Sequence, residues 1–124
     1  MTKIQSYYNL LVKWVTIYQS NRSVADFFVR NGYKKVAIYG LKELGVLLYD
    51  ELDHAGIDIP FVIDQRADYI NTDIEVELYM PEDDLPDADV VVVTACFYFD
   101  EIVESLKDKV KCPIISLEEA IRCS

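Results

Sequence analysis

The segment Asp87-Ala-Asp-Val-Val-Val-Val-Thr94 constrains this chain more than any other. Four successive valines cannot alternate between core and water. A strand built on them, Asp89 to Ala95, must therefore be buried on both faces, and such strands belong to parallel sheets covered by helices. Other β-branched runs supply its neighbours: Val36 to Tyr39, Ile59 to Ile63 and Ile74 to Leu78 before it, Pro113 to Ser116 after it. Helical periodicity fills the gaps. Glu43 to Ala55 sets Leu44, Leu47, Leu48 and Leu52 on one face and ends at Gly56, Phe99 to Lys109 turns Ile102, Val103 and Leu106 inward, and Leu117 to Arg122 closes the chain. Strand, helix and strand in this order predict one α/β domain over residues 1–124, with a parallel sheet of about five strands in the order 3-2-1-4-5 and right-handed crossovers. The connection from Tyr79 to Ala88 is short for such a crossover, so its helix is a single turn or absent, leaving a patch for N-terminal helices of this chain or a partner to cover.

Residues 1–32 read as a helical extension. In the first helix, Ile4 to Tyr18, the residues Asn9, Lys13, Thr16 and Ser20 form one narrow polar stripe, and the apolar face is wider than a helix lying on a sheet requires. Tyr7, Leu11, Trp14 and Tyr18 are candidates for contact with another copy. A second helix, Arg22 to Val29, points Val24, Phe27 and Phe28 inward and stops at Asn31-Gly32. Asn9, Lys13 and Thr16 keep the first helix well short of the roughly 20 apolar residues of a membrane span, and no small-residue cleavage site follows, so membrane insertion is not expected.

Composition narrows the function classes. With 124 residues, 52% of them hydrophobic, the domain can build a core without disulfide or metal support. Twelve basic against 22 acidic residues give a net charge of −10, which repels a nucleic-acid backbone. Three cysteines, Cys96, Cys112 and Cys123, form no C-x-x-C pair and suit a reducing, cytoplasmic setting.

In an open α/β sheet, ligands bind beyond the carboxyl ends of the strands where strand order reverses, here between the first and fourth strands. The first turn is Gly40-Leu41-Lys42-Glu43-Leu44-Gly45. A dinucleotide fingerprint requires glycine at its first, third and sixth positions, and Lys42 holds the third. A phosphate can still meet the helix amides there, with the Lys42 ammonium adding charge, or the lysine side chain fills the space. Asp64, followed by Gln65 and Arg66, ends the second strand where a carboxylate that selects an unphosphorylated ribose is expected; the alternative is a solvated strand end. Thr94, Ala95 and Cys96 form the opposite lip. The aromatic run Phe97-Tyr98-Phe99 either stacks on a ligand, with Tyr98 the first choice for contact, or caps the sheet edge.

The order Lys35-Lys-Val-Ala-Ile-Tyr-Gly, Leu44-Gly45, Phe61-Val-Ile-Asp64 and Asp87 to Thr94 resembles the Rossmann-like N-terminal domain of bacterial polysaccharide-biosynthesis proteins. That domain occurs in nucleotide-sugar dehydratases and epimerases of capsule synthesis and in sugar O- and N-acyltransferases. The resemblance covers about Lys35 to Ile121 and implies binding of a nucleotide, a nucleotide-sugar or NAD(P). It makes Gly40 and Gly45 phosphate-loop residues, Asp64 the strand-end acid, and Thr94, Ala95 and Cys96 the crevice lip. Those relatives usually carry a glycine where this chain has Lys42.

Catalytic groups are scarce. There is no Tyr-x-x-x-Lys pair, and the single histidine, His54, falls at the far end of the sheet from the crevice. Cys96 precedes a helix whose N-terminus would lower its pKa, but it has no neighbouring base, and a buried inert thiol is the competing reading. Glu82, Asp83, Asp84, Asp87 and Asp89 lack the order of a calcium loop and read as a solvated connection. No metal site is expected. Three functions remain: a non-catalytic nucleotide or nucleotide-sugar module, a homo-oligomerisation module, or the cofactor-binding part of an enzyme completed by a sugar-processing partner.

Overall fold

The computed structural model describes residues 1–66 and 74–124. Helices α1 (Lys3–Gln19) and α2 (Ala25–Arg30) precede β1 (Val36–Tyr39), α3 (Glu43–His54), β2 (Phe61–Ile63), β3 (Glu77–Tyr79), β4 (Val90–Val93), a 3-10 turn (Cys96–Tyr98), α4 (Phe99–Leu106), β5 (Ile114–Ser116) and α5 (Leu117–Arg122). The strands form one sheet in the order β3-β2-β1-β4-β5, all parallel. The fold class read from the sequence is therefore the one observed.

The valine run behaves as its composition requires. Val36 to Tyr39 of β1 pair residue by residue with Val90 to Val93 of β4, and all four valines have no exposed surface. Elsewhere the strands are shorter than their apolar runs. β3 begins only at Glu77, where pairing with Phe61 starts, so Ile74 and Val76 pack half-buried ahead of it.

Among the described residues, the two sheet faces are covered unequally. Val36, Ile38, Val62, Val90, Val92 and Ile115 face a core filled by α1, α2, α3 and α5. Ala37, Tyr39, Phe61, Ile63, Val91 and Val93 face Ile102 and Leu106 of α4, with Leu85 and Ala88 of the β3–β4 connection beside them. The N-terminal helices thus cover the α3 face, whereas the connection that lacks a helix covers its own patch. Lys109, just beyond α4, fastens that connection by donating to the carbonyls of Pro81 and Asp83 at 2.6 and 3.0 Å.

Two helix faces differ from the sequence reading. Leu47 of α3 is exposed, because it lies about a third of a turn from the stripe of Gly45, Leu48 and Leu52 that meets the sheet. In α1 the buried stripe is Leu10, Trp14 and Ile17, so Trp14 belongs to this chain's own core and is not offered to another copy. Its indole donates to Glu51 Oε1 at 2.9 Å, and Glu51 Oε2 accepts from the Ser23 hydroxyl and the Val24 amide at 2.7 and 2.8 Å. One α3 carboxylate thereby ties down both N-terminal helices. Among the described residues, no helix is long and apolar enough to cross a membrane.

Candidate functional site

The turn after β1 is held from both sides. Gly40 has φ +99, a left-handed conformation suited to glycine, and its amide donates to Ile63 O at 2.7 Å. A Cβ on Gly40 would stand 2.6 Å from Thr94 Oγ1, and one on Gly45 would stand 1.9 Å from Gly40 O. These two glycines let α3 start against the strand that feeds it. At the end of β4, the Thr94 hydroxyl lies within hydrogen-bonding distance of the carbonyls of Tyr39 and Gly40, at 3.1 and 2.9 Å. At the end of β2, buried Asp64 accepts the Leu41 amide on Oδ2 and the Arg66 amide on Oδ1, both at 2.8 Å. Asp64 thus already has a structural task, and among the described residues these two amides are the donors to its carboxylate.

Beyond this turn a crevice of about 820 Å3 opens over the carboxyl ends of β1 and β4, within the range usual for small-molecule sites. Tyr39, Gly40, Thr94 and Ala95 line its base, Lys42, Glu43 and Leu44 the α3 side, and Asp64 and Gln65 the β2 side. Tyr98, Glu101, Ile102 and Ser105 form the α4 side. Four candidates lie elsewhere. Leu41 is buried in the core, Gly45 is pressed against Gly40, and Arg66 is exposed outside the crevice lining. Cys96 borders a separate hollow of about 230 Å3 with Ser116 and Glu118.

The remaining wall comes from α1, through Lys3, Tyr7 and Leu11. Lys3 Nζ lies 4.7 Å from the centroid of the Tyr98 ring and 3.3 Å from its hydroxyl, while the Tyr7 hydroxyl meets the Phe97 backbone. The sequence offers Tyr7 and Leu11 as candidates for contact with another copy, and here both line the crevice of their own chain. The over-wide apolar face of the helix is the sequence signal for this second covering role.

Burial pushes the hydroxyls of Tyr7 and Tyr39 above the usual tyrosine range, opposed in part by hydrogen bonds from the Phe97 backbone and the Gln65 side chain respectively. Both stay protonated and serve as hydrogen-bonding groups. Lys3, Lys42, Glu43, Asp64 and Glu101 all line the crevice, so cationic and carboxylate groups share its walls. The Cys96 thiol is pushed up by burial, an effect that outweighs the backbone amides of Glu118 and Leu117 beside it. The thiolate that nucleophilic chemistry needs is disfavoured, as the inert reading expects.

The aromatic run divides. Phe99 packs into the α4 core, while Phe97 and Tyr98 remain partly exposed and meet edge to face at 5.4 Å. His54 is exposed at the end of α3, its Nδ1 2.7 Å from Asp50 O. In the acidic connection, Asp83 accepts the Met80 amide, and Asp89 accepts the amides of Lys34 and Lys35. Among the described residues, no group of three or more His, Cys, Asp or Glu is placed to hold a metal ion.

Compared with known protein families, curated proteins and solved structures, the chain matches none.

Proposed function

We propose that this domain is a binding module for a nucleotide or nucleotide-sugar, serving bacterial surface-polysaccharide synthesis. The observation that carries the reading is the crevice of about 820 Å3 at the β1–β4 switch point, bordered by the first turn of α3. No side chain caps that helix, and its first intrahelical bond runs from the Val46 amide to Lys42 O. The earlier amides suit a phosphate, with Lys42 adding a cation. The Asp64 carboxylate in the crevice wall suits ribose hydroxyls, and Tyr7, Leu11 and Ile102 offer apolar surface to a base or sugar ring. Glu43, beside Lys42 on the α3 side, and Glu101 on the α4 side limit the affinity for highly charged ligands and favour one anionic end with a hydroxyl-rich remainder.

Burial shifts the hydroxyls of Tyr7 and Tyr39 away from ionisation, so neither supplies a phenolate base near neutral pH, which favours a binding role over tyrosine-based catalysis. The polysaccharide context rests on the resemblance of the Lys35–Ile121 segment. Calorimetric titration with UDP-sugars, NAD and NADP tests the reading. Heat of binding that falls about tenfold in affinity in Lys42→Ala is the expected result, and no heat at millimolar ligand overturns it.

A further inference from the structure

We infer that the outward face of α1 is a self-association surface, on which a second copy of this chain packs its own α1. Ile4, Tyr8, Leu11, Val12, Val15 and Tyr18 are between 37% and 83% exposed. The spacing 4, 8, 11, 15, 18 alternates steps of four and three, which aligns five of these side chains into one stripe along the helix, with Val12 flanking it. This stripe is separate from Leu10, Trp14 and Ile17, which face the chain's own core. The helix therefore carries two apolar seams, and the fold uses one.

Area and charge select the occupant. At ordinary side-chain areas the exposed fractions sum to roughly 700 Å2, above the ~300–600 Å2 of the largest patch on a typical monomer and close to the ~800 Å2 each partner buries in a standard interface. The stripe itself has no charged residue, and α1 holds none of the chain's 22 acids. Its two lysines point elsewhere: Lys3 contacts Tyr98, and Lys13 lies on the opposite stripe with Asn9 and Thr16. An acidic peptide or an anionic surface would find no counter-charge there. In a chain of net charge −10, most surfaces bring carboxylates together on self-contact, whereas this one does not. A two-fold axis makes the same patch serve both sides, which a single uncharged helical stripe satisfies. Leu11 belongs to both the stripe and the crevice wall, so the second copy stands at the crevice mouth.

Sedimentation equilibrium of the full chain from micromolar to millimolar concentration tests this, with circular dichroism to confirm folding. A monomer–dimer equilibrium is expected. Val15→Glu and Tyr18→Glu, both at exposed positions outside the crevice, should each raise the dimer Kd at least about tenfold, while Asn9→Glu on the polar stripe leaves it unchanged. A monomer at every concentration overturns the inference. So does a dimer insensitive to Val15→Glu and Tyr18→Glu, or one weakened equally by Asn9→Glu. A monomeric wild type that co-sediments with phosphatidylcholine vesicles would assign the stripe to lipid and overturn it as well.

Discussion

Asp64 and Leu41, 23 residues apart, are joined by a buried 2.8 Å hydrogen bond from the Leu41 amide to the Asp64 carboxylate. With the Arg66 amide on the other oxygen, this bond fixes the phosphate-loop candidate to the end of β2. Removing the side chain leaves both amides without this acceptor, and hydrogen bonds to charged groups contribute about 1.5–3 kcal/mol each. Asp64→Ala is therefore expected to lose about 3 kcal/mol of stability in urea denaturation, with Asp64→Asn losing less because one oxygen remains. A ligand-binding role alone would leave the unliganded protein's stability unchanged.

Gly45 and Gly56 separate packing from conformation. Gly45→Ala drives a methyl into Gly40 O, backbone that cannot swing aside, and is expected to cost more than about 3 kcal/mol. Gly56 has φ +78 but open space around it, so Gly56→Ala should cost only about 1 kcal/mol, the strain of the left-handed backbone. Thermal melts of the pair check the ranking.

Glu51 governs how the N-terminal helices attach. Glu51→Ala removes the acceptors of Trp14, Ser23 and Val24 together, for an expected loss of about 2–4 kcal/mol. Trp14 is the single tryptophan. Its emission should shift to the red if α1 lifts from the core, and Glu51→Gln, which keeps an acceptor, should show a smaller shift.

Asp89 supplies a pH signature. The amides of Lys35 and Lys34, and to a lesser degree their ammonium groups, hold its pKa below the usual 3.8 in the folded chain. A depressed folded value means that the stabilisation is fully present above the unfolded value and is lost as pH falls through the folded one. The stability difference between wild type and Asp89→Asn should stay constant above about pH 5 and close on further acidification. Urea midpoints across that range measure it.

The sheet was legible because its signals are local. Val90 to Val93 dictate two-sided burial by themselves, and Gly40 and Gly45 mark a tight turn whose glycines the geometry requires. The relationships that shape the crevice are not local. Which amides Asp64 receives depends on the alignment of β2 with the turn, and Glu51 looks in sequence like one more acid on a helix. The passage of Lys3 over Tyr98 and of Tyr7 against the Phe97 backbone depends on where α1 is anchored, which Trp14 and Glu51 decide across 37 residues. Leu47 was misread for a simpler reason: apolar residues at neighbouring helical positions do not all face the same way.

The uneven cover of the sheet sets where the molecule breathes. On one face four helices share the strands, so opening any of them leaves others in contact. On the other, α4 is the one helix among the described residues that packs on the strands, through Ile102 and Leu106, aided by a connection pinned through Lys109. Local unfolding follows the lowest density of buried contacts, so α4 is expected to be the first of the described layers to detach. It is also the crevice wall that carries Glu101 and Ser105. Amide exchange in α4 would thus report the width of the crevice, and a molecule seated there would slow it while α3 stays a rigid frame.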